Sequence, residues 1–191
     1  MMTVRGSRRS GSAKGGIAVA ALFAMLTAPA LAGPIADHAA EAEAKLAVGD
    51  AAGAAAALDA AYEAFAAAAP FAFKTAVFAD RIDGYGAFAP RAAGPFRAGD
   101  AVRIYAEPIG VAGAALAPSI EIRDGKGLIL AEAADLPPVA APAGAAARLF
   151  HVAIEFTLPA LKPGDYTLVL TLAEEAAGKS VSAELPLTVT P

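Results

Sequence analysis

The spacing of apolar residues changes once along this chain, and that change constrains the fold more than any other feature of the sequence. Over residues 35–69, apolar side chains recur every three or four residues, which is the period of a helix with one buried face. From Phe71 onward they alternate with polar side chains, which is the period of a strand buried on one side. The sequence therefore predicts a mainly β protein, an antiparallel immunoglobulin-like β-sandwich of about seven strands preceded by an N-terminal α-hairpin.

Residues 33–70 are predicted to form the two helices of this hairpin. Gly49 ends the first helix, Asp50 caps the second, and Pro70 closes it. The apolar positions at helical spacing are Ile35, Ala39, Ala42 and Leu46 in the first helix and Leu58, Tyr62 and Phe65 in the second.

The segment AKLAVGDAAGAAAALDAAYEAFAAAAP, residues 44–70, resembles a single tetratricopeptide-type hairpin. A Gly-Asp turn, an Ala-rich second helix and a closing proline carry the resemblance. The sequence holds no second copy, and a solenoid of such hairpins needs about three repeats to bury a core. We therefore expect the hairpin to pack on the sandwich or on a partner.

Residues 71–191 are predicted to form the sandwich domain. The predicted strands are Lys74–Ala79, Ala101–Glu107, Ser119–Arg123, Leu128–Ala131, Arg148–Leu158, Asp165–Leu172 and Val181–Val189. Asp124–Gly127 is predicted to be a tight hairpin turn. Gly113–Pro118 and the Pro/Ala-rich segment Asp135–Ala147 are predicted to be loops, the second of them long and mobile.

The octapeptide Leu161–Leu168 (LKPGDYTL) resembles the entry to a late strand of bacterial immunoglobulin-like and fibronectin-type modules. In such domains a tyrosine near the start of the strand bonds back to the preceding turn, and Tyr166 has the position of this tyrosine corner. Leu168 stands where antibody domains carry a disulfide cysteine, and the chain contains neither Cys nor Trp. The resemblance covers about residues 71–191 and implies a fold, not an activity.

The N-terminus predicts a cleavable signal peptide over residues 1–32. Gly15–Leu31 is an uncharged, mostly apolar run, and Ala30 and Ala32 are the small residues that a signal peptidase requires. Cleavage is predicted after Ala32, which places the protein in the periplasm or outside the cell with no membrane span. The basic residues that precede the apolar run are Arg5, Arg8, Arg9 and Lys14.

Composition excludes several classes of function. The chain has 15 basic and 19 acidic residues, so removing the four basic residues of the signal peptide leaves a net charge of −8. Such an acidic protein is not expected to bind nucleic acid. The chain also lacks Cys, Trp, Asn and Gln, which include most of the side chains with which sandwich domains bind sugars. We predict no cofactor.

The two histidines are the candidates for metal binding or catalysis. His38 is predicted on the exposed side of the first helix near Glu41, and His151 on the outward face of a strand with Glu155. No third metal ligand is in reach by sequence, and the serines of the mature chain lack a nucleophile-elbow context. The acids of Asp80–Gly86 fit turn chemistry better than a calcium loop. We predict no catalytic and no metal-binding residue.

The stretch Asp80–Asp100 combines aromatic residues and arginines on a Gly/Pro-rich backbone. These residue types are enriched at the centres of protein interfaces. One hypothesis is an exposed recognition arm. The alternative is that its phenylalanines anchor an edge strand in the core while its arginines neutralise nearby acids. The predicted binding residues of the arm are Tyr85, Phe88, Arg91, Phe96 and Arg97.

These features predict an exported, non-catalytic binding or accessory module that recognises another envelope protein, as the edges and end loops of a sandwich allow. One alternative is a small-ligand carrier with a pocket between hairpin and sandwich. Another is a small hydrolase that uses His151 or acids at the end of the sandwich. An exposed edge or aromatic patch would indicate the first function, an apolar cavity the carrier, and a concave polar cluster the enzyme.

Overall fold

The computed structural model describes residues 33–111, 115–134 and 136–191, so the predicted signal peptide lies outside the described residues. The helices are α1 Pro34–Ala47 and α2 Ala51–Ala68. The strands are β1 Ala72–Gly84, β2 Ala87–Pro90, β3 Ala101–Ile109, β4 Ala115–Arg123, β5 Ile129–Ala133, β6 Val139–Ala140, β7 Val152–Thr157, β8 Gly164–Glu174 and β9 Lys179–Val189.

The α-hairpin begins and ends where its sequence signals place it. Asp50 caps α2, since its carboxylate accepts a 2.9 Å hydrogen bond from the backbone N–H of Gly53. Gly49 adopts a φ of +80° between the helices, a conformation that favours glycine. Ala69, which precedes Pro70, is already extended. The predicted pair of helices is confirmed.

Small side chains hold the two helices together. The buried residues of the hairpin are Ala42 of α1 and Ala54, Ala57 and Ala61 of α2. Leu46 and Leu58, which the helical spacing groups with the buried positions, remain 57% and 50% exposed. Alanine lets the helix backbones approach closely, and this leaves the longer leucines outside the contact. In the described residues no helix is both long and apolar enough to span a bilayer.

Two antiparallel sheets form the sandwich. The first has the strand order β2-β1-β3-β7, and the second has the order β5-β4-β8-β9 with β6 paired to the start of β4. Alternate side chains of both sheets meet in one core, where Val102, Ile104, Leu168 and Leu170 are inaccessible to solvent. The fold is therefore the predicted one, a mainly β, immunoglobulin-like sandwich with an N-terminal α-hairpin.

The predicted tyrosine corner is confirmed at the start of β8. The hydroxyl of Tyr166 donates a 2.7 Å hydrogen bond to the backbone carbonyl of Lys162. Leu168, two residues on, is fully buried. The turn between β4 and β5 is also as predicted, because the Asp124 carboxylate accepts hydrogen bonds from the backbone N–H groups of Lys126 (2.8 Å) and Leu128 (2.9 Å).

The chain between β2 and β3 closes one side of the sandwich against β9. Phe96 donates its N–H to the Thr188 carbonyl at 2.9 Å and accepts a 2.8 Å hydrogen bond from the N–H of Thr190. Its ring is inaccessible to solvent and lies 5.1 Å from that of Phe78, centroid to centroid. This part of the predicted recognition arm belongs to the core.

The structure corrects the predicted strands at two places, in the segment Asp80–Asp100 and in the predicted loop Gly113–Pro118. β1 extends to Gly84, and β2, which the sequence did not predict, pairs with it across a short turn. β4 begins at Ala115, so most of the predicted loop Gly113–Pro118 is strand. Pairing with β8 supplies the hydrogen bonds there, although Ala-rich sequence shows little alternation.

The predicted loop Asp135–Ala147 is corrected as well. β6 lies within it, and a 3₁₀-helix follows at Gly144–Leu149. The next strand therefore begins at Val152, although the alternation predicted a strand from residue 148. Leu116 of β4 pairs with Val139, a long-range contact that no local pattern shows.

Candidate functional site

A cleft lies where the α-hairpin meets one end of the sandwich. It has a volume of about 480 Å³ and lies between α2, β1, the end of β3 and the segment Gly144–Phe150. We call it the α2 cleft. Its walls are mostly apolar, with aromatic rings from Tyr62, Phe65, Tyr85 and Phe150. A concave apolar site of this size is the usual form of a binding pocket.

At one end of the cleft, Pro70, which follows α2, lies against Gly110, which follows β3. Gly110 follows β3 with a φ of +72°, and a Cβ atom there would come within 2.4 Å of the Pro70 carbonyl oxygen. Only glycine gives both the conformation and the space at this point. α2 also packs along the 3₁₀-helix, where Arg148 forms an ion pair with Asp59.

The aromatic wall on the helix side comes from two neighbouring residues. Tyr62 and Phe65 lie one turn apart on α2, with ring centroids 5.9 Å apart. Phe65 is 36% exposed, so its ring is available at the mouth of the cleft. Burial raises the pKa of Tyr62, which keeps its hydroxyl uncharged at neutral pH.

The floor of the cleft is a polar network on the sandwich side. Lys74 lies with its Nζ 2.8 Å from Glu107 Oε2, which makes an ion pair. The ammonium donates its hydrogen bond to the Tyr85 hydroxyl at 2.9 Å. The hydroxyl of Tyr105 donates a 2.5 Å bond to Glu107 Oε1 and accepts a 2.7 Å bond from the N–H of Gly86.

The contacts among these groups shift their pKa values and so determine which of them are charged at neutral pH. Burial opposes ionisation of Glu107, but its contacts with Lys74 and Tyr105 outweigh burial and lower its pKa. Contact with Glu107, and then with Tyr85, holds the pKa of Lys74 well above its usual range. Lys74 therefore stays protonated at neutral pH and offers no free amine as a base or nucleophile.

Tyr105 is covered on both faces of its ring, although it points away from the sandwich core. Phe88 of β2 stacks on it with 4.0 Å between ring centroids, and His151 stacks on it at 5.5 Å. Tyr105 is consequently inaccessible to solvent. Burial, together with its hydrogen bond to Glu107, raises the pKa of Tyr105 to about 12.

The five predicted binding residues lie in different places. Tyr85 lines the α2 cleft, and Phe88 stacks on Tyr105 behind it. Arg91 lies with its guanidinium 3.9 Å above the buried ring of Phe96. Arg97 is exposed beyond them. The structure therefore does not bring the five side chains into one surface, and their role in binding stays a prediction.

Arg91 of the predicted recognition arm also lies among acidic residues. Arg91 has its Nε 3.7 Å from Asp80 and its Nη2 3.8 Å from Asp100. Its Nη2 also donates a hydrogen bond to the Pro95 carbonyl at 3.3 Å. These contacts match the alternative interpretation of the arm, in which arginine neutralises acids beside a phenylalanine anchor.

The histidines occupy separate elements. His38 Nδ1 lies 3.8 Å from a carboxylate oxygen of Glu41 on α1, as the spacing predicted. His151 packs its ring on Tyr105. Within the part of the chain that the structure describes, no three residues among His, Cys, Asp and Glu are grouped as a metal site requires.

Sequence reasoning missed the polar floor of the cleft. Tyr105 and Glu107 alternate with core residues, and that alternation places them on the solvent face of β3. Lys74 lies near the start of β1, and its pairing with Glu107 depends on the register between β1 and β3. A lysine and a glutamate at the ends of two strands are a weak signal by themselves, because the sequence does not give the register.

Comparison with known proteins adds little to this description. No protein-family model matches the chain, and no curated protein matches it. A crystal structure of a CARDB domain from Pyrococcus furiosus, in complex with di-metal ions, is 12% identical over 49% of this chain and 81% of its own, with a TM-score of 0.32. A solution structure of the same domain is 10% identical over 50% and 84%, with a TM-score of 0.28.

Proposed function

We propose that the protein is an exported, non-catalytic binding module that recognises another envelope protein, and that the α2 cleft receives an apolar or aromatic side chain of that partner. The observation that carries the proposal is the combination of apolar walls with charged groups that are already paired. Lys74 is paired with Glu107, and Arg148 with Asp59. The charges at the cleft are thus occupied within the chain.

A site of this kind favours a neutral ring or an aliphatic group. A charged ligand would have to break an existing ion pair, and in one of these pairs the carboxylate of Glu107 is buried. A neutral ring gains instead from contact with Tyr62, Phe65 and Tyr85. The Tyr85 hydroxyl, which is positioned by Lys74, suits a single hydrogen bond to such a group.

The raised pKa of Lys74 supports a non-catalytic role for the same site. General-base or covalent chemistry needs a group that loses its proton near neutral pH, and Lys74 is held protonated. Tyr105, with a pKa of about 12, is likewise held neutral. The network therefore positions the floor of the cleft and does not transfer protons at neutral pH.

The same cleft also fits the second candidate function, a carrier of a small ligand. Its volume of about 480 Å³ is that of a pocket for a small molecule. The two candidates share one ligand chemistry, a neutral apolar or aromatic group, and differ in whether it belongs to a protein or is free.

The experiment compares the wild-type protein with Phe65→Ala and Tyr85→Ala in capture from a native envelope extract, with native mass spectrometry of the captured species. Leu58→Ala is the matched control, because Leu58 lies on the same helix, is 50% exposed, and does not line the cleft. Loss of a captured protein in both cleft variants, with retention in the control, supports the envelope-protein function. A bound small molecule that both cleft variants lose supports the carrier. Capture that is equal in all four proteins, or absent from the wild type, would overturn the cleft as the binding site.

A further inference from the structure

The polar groups that the α2 cleft offers to a ligand are mostly hydrogen-bond donors. Lys74 has three N–H groups, and its contacts with Glu107 and Tyr85 occupy two of them. The side chain is 56% exposed, so the third N–H is open to a ligand. Arg148 gives its Nη1 to Asp59 and keeps its other N–H groups, with 44% of its side chain exposed. Each of these two cations is paired on one side and is able to donate on another.

Tyr62 adds a hydroxyl to the same surface. Among the described residues this hydroxyl has no hydrogen-bond partner, so its proton is available to a ligand. Burial is the main cause of the raised pKa of Tyr62, and the charges of Lys74 and Arg148 act against burial. The hydroxyl therefore lies near both cations.

Acceptors are scarce at the cleft. Of the described residues that line it, Glu107 is the one with an acidic side chain, and it is only 5% accessible. Its two oxygens are already in contact with Lys74 and Tyr105. The oxygen of Tyr85 already accepts a hydrogen bond from Lys74. An ordinary peptide brings one N–H with every carbonyl, and its N–H groups would lose water here without gaining an acceptor.

A run of prolines matches this imbalance. Proline has a backbone carbonyl but no N–H, so it offers acceptors without adding donors. Such a run forms a polyproline II helix, which has no internal hydrogen bonds and loses little conformational entropy on binding. Its rings are neutral and apolar, and grooves lined by aromatic residues are the sites that receive them. The aromatic residues of the cleft are Tyr62, Phe65, Tyr85 and Phe150.

We propose that the α2 cleft recognises a proline-rich segment of the partner in the polyproline II conformation, with its rings against the aromatic walls and its carbonyls toward Lys74, Arg148 and the Tyr62 hydroxyl. The proposal rests on the proposed function, because it names the chemistry of the partner at the same cleft. The volume of about 480 Å³ is in the range of sites that hold a small ligand. Any other apolar or aromatic residue brings its own backbone N–H, so the cleft should bind it more weakly.

The first test compares three blocked peptides of equal length by isothermal titration calorimetry. Hexaproline has rings and no N–H groups, a hexamer of N-methylglycine has neither, and a hexapeptide of alternating alanine and glycine has N–H groups and no rings. We expect hexaproline to bind at least about ten-fold more tightly than the alanine–glycine peptide, with the N-methylglycine hexamer between them. Tyrosine fluorescence gives a second readout, because the chain has no Trp and two of its four tyrosines line the cleft.

Two results of this comparison would overturn the proposal. One is hexaproline that does not bind, or binds no more tightly than the alanine–glycine peptide. The other is an N-methylglycine hexamer that binds no more tightly than the alanine–glycine peptide, because the missing N–H groups would then contribute nothing.

The second test assigns hexaproline to the cleft. Tyr62→Phe keeps the ring and removes only the hydroxyl, whereas Phe65→Ala removes a ring, and each should weaken hexaproline binding several-fold. Leu58→Ala is the control, because Leu58 lies on the same helix, is 50% exposed and does not line the cleft. Circular dichroism checks that each variant is folded. Equal affinity for hexaproline in the wild type and all three variants would place the binding elsewhere and contradict the proposal.

The third test separates this inference from the proposed function by competition. Hexaproline added to the envelope extract should displace the captured protein from the wild type. A captured protein that requires Phe65 and Tyr85 but resists hexaproline would overturn the proline inference and leave the proposed function standing. Hexaproline binding without any captured protein would support the proline site and count against an envelope partner. Absence of both would overturn both.

Discussion

Tyr105 donates a 2.5 Å hydrogen bond to Glu107 from two positions earlier on β3, so both side chains project from the face opposite the sandwich core. Neither is exposed: Tyr105 is inaccessible and Glu107 is 5% accessible. Phe88 and His151 cover the tyrosine, and Lys74 pairs with the glutamate. The outer face of the first sheet thus carries a buried polar cluster, and the floor of the α2 cleft lies at the edge of this cluster.

The Lys74–Glu107 ion pair makes a prediction about acid stability. Lys74→Met keeps most of the side-chain stem but removes the cation paired with the buried Glu107. We expect a loss of about 1–2 kcal/mol in the free energy of unfolding at pH 7, a value kept low because Lys74 is half exposed.

The sign of the pH dependence follows from the pKa shift. The pKa of Glu107 is below its ordinary 4.5, so its contribution is present above about pH 4.5 and is lost as the pH falls through the folded-state value. In Lys74→Met the carboxyl protonates more readily, and the difference from the wild type should shrink between pH 7 and pH 4. Urea unfolding at both pH values measures this, with Lys126→Met in an exposed turn as the control. An unchanged difference would contradict the buried ion pair.

The hydroxyl of Tyr105 makes a separate prediction about alkaline pH. The pKa of Tyr105 is raised to about 12, so its contribution to stability is present below pH 10 and is lost as the pH rises through about 12. Tyr105→Phe removes the donor to Glu107 Oε1 and leaves the N–H of Gly86 without its acceptor, which costs about 1–3 kcal/mol at neutral pH.

Absorbance titration of the tyrosinates tests this assignment. The latest step of the wild type, near pH 12, should be missing in Tyr105→Phe, whereas the raised pKa of Tyr62 should remain in that variant. If the late step survives in Tyr105→Phe, another tyrosine has the shifted pKa and the network is wrongly described.

Two variants in the segment Asp80–Asp100 separate structural anchors from binding residues. Phe96→Ala removes an inaccessible ring from the core and should cost about 3–5 kcal/mol in unfolding free energy. Arg91→Ala removes a cation–π contact on that ring and should cost about 1 kcal/mol. Neither should change partner capture at a temperature where the variant is folded, whereas Tyr85→Ala should. Loss of capture in a folded Arg91→Ala would favour the recognition arm over the cleft.

The sequence predicted what depends on local periodicity and on turn chemistry. The helix boundaries at Gly49, Asp50 and Pro70 follow from capping rules, and the tyrosine corner at Tyr166 follows from a short motif. The strands with clear alternation were found, whereas β2 and β6 are short, and β6 lies in Pro/Ala-rich sequence that gives no periodic signal.

The candidate site was only partly predictable, because it depends on strand register and on long-range packing contacts that bury some side chains and leave others accessible. Tyr85 was selected for its residue type and does line the cleft. Phe96 was selected for the same reason and is core. Both residues are aromatic, and the long-range pairing of Phe96 with β9 is what places Phe96 in the core. A pocket between hairpin and sandwich was one of the alternatives, but its lining residues were not predicted.

The last prediction concerns the joint that holds the hairpin against the sandwich. Gly110 and Gly99 both have positive φ, +72° and +84°, so alanine at either position carries left-handed strain of about 1–2 kcal/mol. At Gly99 a Cβ atom would have no neighbour within 4 Å, whereas at Gly110 it would meet the Pro70 carbonyl at 2.4 Å. Gly110→Ala should therefore destabilise the protein more than Gly99→Ala and push Pro70, with the end of α2 that it follows, away from residue 110. Because that movement widens the α2 cleft, Gly110→Ala should also weaken partner capture, while Gly99→Ala should not. Chemical denaturation and capture of both variants measure the two effects, and equal results for the two glycines would show that the close approach at Pro70 does not hold the cleft together.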